Sequence, residues 1–184
     1  TGLPLSLRPV ESFQRAHQGK KSENPFCLLM SESNRACAAC LETQQKMVET
    51  VNCGPRTVKC FAGLCDTGVP VSVGDEILGF LQTGQVFLQK PSKIQFSKTV
   101  QQLADWGWKV DLRKLEEAYF QTRVINPKQY ESVVHLLTIF AQHLALVGFR
   151  RSHQRRQARL AHGQGAGLVK GHHVYLVRQF QGLR

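Results

Sequence analysis

The sequence predicts an α+β fold, in which an antiparallel sheet is flanked by helices and a long C-terminal helix closes the domain. Three observations support this prediction. A helical segment precedes a group of strand candidates, two of those strands are joined by a tight hairpin, and the second half of the chain has helical periodicity. Strands joined by short turns pair antiparallel, so a doubly wound parallel sheet is not expected.

The chain opens with a polar, turn-rich lead-in at residues 1–23, which allows a short helix at 10–16. The apolar run at 26–30 fits a short buried strand or a helical turn equally well. Residues 35–51 contain no Gly or Pro and place apolar side chains at helical spacing, which predicts a helix. The Gly-Pro pair that follows ends this helix.

Three strands are predicted next, at residues 57–61, 69–73 and 77–82, with an extension or a further strand at 84–88. Gly74 and Asp75 connect the second and third strands as a tight hairpin.

The remaining predicted elements are helices at residues 96–106, 112–121 and 127–147. The last is the longest, and its apolar residues recur three and four positions apart. Two interpretations of this apolar stripe stay open. It is either the buried side of a core helix or the seam of a dimeric coiled coil.

Composition and charge restrict the class of protein. The chain has 184 residues, 42% of them hydrophobic and 20% charged, which is enough for one domain with a buried core and a short appendage. No secretion signal is recognised and no apolar run approaches the roughly 18 residues that a membrane span needs, so we expect a cytoplasmic protein without a membrane partner.

The net charge of +11 is concentrated at the C-terminal end, because residues 149–184 contain eight Lys and Arg residues and no acidic residue. This tail is expected either to contact nucleic acid non-specifically or to be a remodelled end of the chain. No DNA-recognition helix is predicted in it, because of its glycines.

All six cysteines lie between Cys27 and Cys65. This clustering favours reduced thiols with a shared role in metal binding, redox chemistry or a pocket wall, and the alternative is that they pack as small hydrophobic residues. Cys37 and Cys40 are three residues apart at the start of a predicted helix, where the helix dipole favours the thiolate. Such a pair can share a tetrahedral metal ion or form a disulfide.

No catalytic constellation is recognised. Phosphate-binding glycine patterns and the Gly-x-Ser-x-Gly elbow are missing from the sequence. Asp66 has no carboxylate or His near it in sequence to share acid–base work. We therefore predict that the chain is not an enzyme.

Three patches, taken in order, carry a family resemblance. They are Phe26-Cys27 followed by Cys37, then Lys59-Cys60-Phe61-Ala62-Gly63-Leu64 followed by Val69-Pro70-Val71, and last Glu76-Ile77-Leu78-Gly79-Phe80-Leu81-Gln82-Thr83-Gly84-Gln85-Val86. Their order and spacing resemble the PocR sensory domain, the N-terminal ligand-sensing module of AraC-type bacterial transcription regulators. The stretch Leu115-Glu116-Glu117-Ala118-Tyr119 and the long helix after it are also similar to that family.

The resemblance implies a PAS-like domain over residues 24–148 that binds a small organic compound, such as an alcohol, a diol or another hydrocarbon derivative. It implies signalling to an output domain missing from this chain, through which alone DNA is contacted. From the long helix we expect the domain to act as a homodimer. The expected ligand-binding residues are Cys60, Phe61, Asp66 and Gln85.

The cysteines suggest an alternative function, a metal- or redox-sensing module, with zinc as the candidate metal. By family position, Cys27 and Cys60 would complete a metal site with Cys37 and Cys40. Phe61 stands where the family often has His, which favours a site built from thiols only.

Overall fold

The computed structural model describes residues 2–9, 24–49 and 54–161, with side chains in the last range described to residue 148. In chain order the elements are β1 (Leu5–Arg8), α1 (Pro25–Met30), α2 (Asn34–Glu49), β2 (Arg56–Lys59), β3 (Cys65–Val73), β4 (Glu76–Val86), α3 (Lys93–Asp105), α4 (Leu112–Gln121) and α5 (Pro127–Ala161). The predicted α+β class is confirmed.

The sheet has the strand order β1-β4-β3-β2, and all its neighbouring strands are antiparallel. The predicted hairpin joins β3 to β4, and its Gly74 has φ 59°, which favours a residue without Cβ. Both strands are longer than predicted. β4 continues through Gly84 to Val86, because this glycine lies at a bulge and does not end the strand.

The sequence analysis did not predict β1, which lies inside the supposed lead-in. Its residues pair with β4, with Leu5 opposite Thr83 and Arg8 opposite Phe80. A strand of four residues between prolines carries too little alternation to be recognised locally, and its partner is far away in sequence. The helix predicted at 10–16 lies outside the described residues.

The apolar run after Asn24 is helical, because that residue caps it. The Asn24 Oδ1 accepts hydrogen bonds from the backbone N–H groups of Phe26 (2.8 Å) and Cys27 (3.3 Å). Pro25 at the start of the helix has no N–H to satisfy. The sequence allowed either a short strand or a helical turn here, and the Asn24 cap favours the helical turn.

The two faces of the sheet are covered differently. On one face, β3 and β4 pack against α5 in an aliphatic cluster formed by Val69, Val71, Leu81, Ala141, Leu144 and Ala145. On the opposite face lies α2, whose Met47 contacts the position of Gly68. An aromatic core around Tyr119 connects α1, α3 and α4 to the end of the sheet.

Helix α5 extends well beyond its predicted end and is apolar on two sides. Residues Pro127–Gly148 are long and apolar enough, by length and composition alone, to cross a membrane, so the expectation that no segment reaches that length is wrong. One side of the helix packs on the sheet, as in a core helix. The opposite side exposes the large hydrophobic residues Leu136, Ile139, Phe140, Leu146 and Val147.

Candidate functional site

A polar network lies between α2 and the sheet. The Arg8 guanidinium Nη1 donates to Oε1 of Gln44 on α2 (2.7 Å) and to Oε1 of Gln82 on β4 (3.1 Å). The Gln82 side chain in turn hydrogen-bonds to the carboxylate of Asp66 on β3. Because side chains alternate along a strand, these strand residues face α2 while their neighbours face α5. The network thus connects a helix to three adjacent strands.

Asp66 is the centre of this site. Its carboxyl is enclosed by protein, and burial raises its pKa to about 7. The backbone N–H of Gln85 (3.2 Å), the Gln82 side chain and the charge of Arg8 act in the opposite direction. The residue nevertheless keeps a solvent-accessible fraction in the half-buried range. Asp66 is therefore a carboxyl with a raised pKa in a residue that is only partly accessible, on the sheet face that α2 covers.

Cys60 forms a second wall near this carboxyl. Its thiol is held by backbone hydrogen bonds from Ala62 and Leu64, and burial raises its pKa to about 12, with Asp66 and Cys40 close enough to add to the effect. The thiol is therefore protonated at neutral pH. In this state it is a poor nucleophile, since nucleophilic attack requires the thiolate.

The turn that carries Cys60 is fixed by the aromatic core. The Cys60 N–H donates to the Leu64 carbonyl (2.9 Å), and the Tyr119 hydroxyl donates to the Ala62 carbonyl (2.9 Å). Gly63 has φ 87°, and a Cβ there would collide with Gln95 Nε2, so the turn requires glycine. The thiol consequently occupies a rigid position beside β3.

The side chains of the other two predicted ligand-binding residues, Phe61 and Gln85, do not contact Asp66 but other parts of the domain. Phe61 is half-buried and packs edge-to-face against Trp106, with ring centroids 5.0 Å apart. Gln85 contacts Asp66 only through its backbone N–H, while its side-chain Oε1 accepts from the N–H of Asn24 (3.3 Å). The polar contribution expected from the Gln85 side chain is thus directed to α1.

The described cysteines form no disulfide with one another, and Cys27, Cys37 and Cys40 are half-buried. Within the described ranges, no three or more His, Cys, Asp or Glu residues are grouped so that they could hold a metal ion. The arrangement therefore does not support a four-thiol zinc site with Cys60, and that site stays a prediction.

Three polar residues of the site were missed in the sequence. Gln82 belongs to the third family-like patch and faces the same side of the sheet as Asp66. The alternation of side chains along β4 could therefore have identified it as a site residue. Gln44 lies one helical turn after Cys40 on α2 and carries a weaker signal. Arg8 had no local signal, because its position depends on the unrecognised strand β1.

The domain is an α+β fold in which the Asp66 carboxyl and the Cys60 thiol lie close to each other and have raised pKa values. The family model described as the sensory domain found in PocR matches residues 14–149. The chain belongs to this family of sensory domains, and the resemblance seen in its motifs is confirmed. No curated protein and no solved structure gave a significant match.

Proposed function

We propose that this domain senses a small organic molecule, namely an alcohol, a diol or a related hydrocarbon derivative, which binds between α2 and the sheet. The observation that carries the proposal is the Asp66 carboxyl, enclosed by protein and still accessible. Cys60 and Cys40 border the same space and supply weakly polar walls. A carboxyl among such walls suits a ligand with a hydrocarbon body and a hydroxyl group.

The wider role that we propose follows from the family. A sensory domain passes the presence of its ligand to another domain, so we place this one in a cytoplasmic, AraC-type transcription regulator. In that role it is not a catalyst, and DNA is contacted by an output domain. The absence of catalysis is tested by asking whether the protein chemically converts a bound probe. We expect propane-1,3-diol to be recovered unchanged after prolonged incubation with the protein.

Calorimetric titration with propane-1,3-diol tests the ligand site. We expect saturable binding that Asp66→Ala weakens by at least about tenfold, since a buried hydrogen bond to a carboxyl is lost. The control is Glu116→Ala, which removes an exposed carboxyl on α4 and should leave the affinity unchanged. Equal binding by the Asp66 variant and the wild type would place the ligand elsewhere.

We also propose that the outer side of α5 pairs with a second copy of the chain. Leu136, Ile139 and Phe140 are exposed on the helix side opposite the sheet, and Leu146 and Val147 continue this surface at helical spacing. This side also carries the exposed His143 and is otherwise largely apolar over residues 136–147; such a surface is self-complementary, as in a coiled-coil seam. The length of the helix, which continues to Ala161, gives such a pair a route for passing a signal onward.

Sedimentation equilibrium tests this dimer. Ile139→Glu places a charge in the middle of the apolar surface and should shift the protein to monomer, whereas Glu131→Gln, a charge change at an exposed position of the same helix outside that surface, should not. A wild-type monomer at high concentration would contradict the proposal. Partitioning of the wild type into neutral lipid vesicles, lost in Ile139→Glu, would instead assign this surface to a membrane.

A further inference from the structure

The backbone of Gln85 is held in an unusual conformation by the carboxyl of the site. With φ 57°, it is the one residue other than glycine with a positive φ in the described part of the chain. It is also the extra residue of a β-bulge, because Cys65 pairs with Val86 while Asp66 pairs with Gly84. Its N–H donates to Asp66 Oδ1 at 3.2 Å. A left-handed residue with a Cβ persists only where its surroundings hold it in place.

The other polar groups of Gln85 are bonded to the residue that caps α1. Its carbonyl oxygen accepts from Asn24 Nδ2 (2.8 Å), and its Oε1 accepts from the Asn24 N–H (3.3 Å). The same Nδ2 donates to Oγ1 of Thr122, at the C-terminal end of α4 (3.2 Å). A movement of the bulge is thereby transmitted to the ends of two helices.

The chain then leads directly into α5. Two residues after the bulge, the N–H of Phe87 donates to the Arg123 carbonyl (2.9 Å), and the Phe87 carbonyl accepts from the Ile125 N–H (2.9 Å). Ile125 lies two residues before Pro127, where α5 begins. On the other face of β3, Thr67 Oγ1 is 2.7 Å from the hydroxyl of Tyr130 in the first turn of α5. The start of α5 is thus attached on both sides to residues adjacent to Asp66 and Gln85.

We propose that a bound hydroxyl donates to the Asp66 carboxyl in competition with the Gln85 N–H, and that release of Gln85 loosens the segment 122–126 and the first turns of α5. This inference rests on the proposed ligand site. It adds the group that responds to the ligand, which is the Asp66 carboxyl, and the route from that group to α5. The ligand must therefore carry a hydrogen-bond donor. A hydrocarbon or an ether of the same size has none.

Hydrogen exchange with two matched probes tests the mechanism. Propane-1,3-diol and 1,3-dimethoxypropane share a carbon chain, but the ether has no donor. We expect the diol to accelerate amide exchange at 85–88 and 122–132 by at least about threefold, with α3 unchanged, and the ether to have no effect. Equal acceleration by the ether would overturn the role of the donor.

Variants test the coupling without a ligand. Asp66→Ala removes the acceptor of the Gln85 N–H and should accelerate the same amides, while Asp66→Asn keeps an acceptor oxygen and should restore slow exchange. Glu116→Ala removes an exposed carboxyl on α4, outside the polar network, and should leave these amides unchanged. If the diol does not bind but Asp66→Ala accelerates exchange, the ligand class is wrong and the coupling holds. If exchange at α5 stays unchanged with bound diol and in Asp66→Ala, the coupling is wrong.

Discussion

The two faces of the central sheet are built from alternating residues of the same strands and have opposite chemistry. Toward α5, β3 and β4 present Val69, Val71 and Leu81, which are buried in an aliphatic cluster. Toward α2, the next residues along the strands form the network of Asp66, Gln82 and Arg8. The α5 face gains stability from the burial of apolar surface, whereas the α2 face keeps polar groups in a position where their desolvation is costly.

The two faces are expected to respond differently to mutation. Burial of apolar surface stabilises the α5 face, whereas the α2 face carries the carboxyl that we have proposed to bind the ligand. We therefore expect changes on the α5 face to act mainly on stability and changes on the α2 face to act mainly on binding and pH dependence.

The largest loss of stability is expected on the aliphatic face. Leu81→Ala removes a side chain that is 3% exposed and should lower the free energy of unfolding by about 2–4 kcal/mol, because it leaves a cavity against α5. Urea denaturation measures this loss. Leu5→Ala, at a side chain that is 47% exposed, is the control and should cost less than about 0.5 kcal/mol. Similar losses for both variants would contradict the assignment of the core.

On the polar face, we expect stability to depend on pH. The pKa of Asp66 is about 7 in the folded protein against an ordinary 3.8, so the folded state holds more protons between these values. The free energy of unfolding should then fall as the pH rises from about 4 to about 7, by roughly 1–3 kcal/mol.

Asp66→Asn should flatten this pH dependence, and Glu116→Gln, on an exposed helix position, should preserve it. Thermal denaturation across this range makes the comparison. An unchanged slope in the Asp66 variant would show that other groups cause the dependence.

A smaller effect is expected where the first turn of α5 is attached to β3. Tyr130→Phe removes the hydroxyl that lies 2.7 Å from Thr67 Oγ1 and should cost about 1 kcal/mol. Thr67 keeps its contact with Thr57 Oγ1 at 2.7 Å, which limits the loss. In a double-mutant cycle with Thr67→Val, additive losses would mean that the two hydroxyls do not interact in solution.

The smallest effect on folding is expected on the outer side of α5. Leu136→Ala truncates a side chain that is 65% exposed, so at a concentration where the protein is monomeric its unfolding free energy should change by less than about 0.5 kcal/mol. Urea denaturation at low protein concentration measures it. A loss above about 1 kcal/mol in the monomer would show that this side packs within a single chain.

Local signals were sufficient for most of the fold. The 3.6-residue periodicity predicted α4 at its observed bounds, and Gly74 with Asp75 located the hairpin. Element ends were less predictable, because they depend on caps. Ser92 accepts from the N–H of Gln95 (3.1 Å) and starts α3 three residues before its predicted start.

The site was only partly predictable for a related reason. Cys60 was chosen from a family-like motif and Asp66 from the turn that follows it, and the structure brings the two close enough for the Asp66 charge to affect the Cys60 thiol. Arg8 was not recognised, because a short edge strand is defined by its distant partner. The orientation of Gln85 was also unpredictable, since an inserted bulge residue reverses which of its groups faces the site.

The sequence by itself determined the α+β class, the order of most elements, the hairpin and the family of sensory domains, because periodicity, turn residues and motifs are properties of neighbouring positions. Only the tertiary structure decided which residues meet. It attached β1 to β4, set Arg8, Gln82 and Asp66 on one face, and joined Gln85 through Asn24 to Thr122. These pairings connect residues that are tens of positions apart, and their free energy comes from burial and hydrogen bonding that no local segment contains.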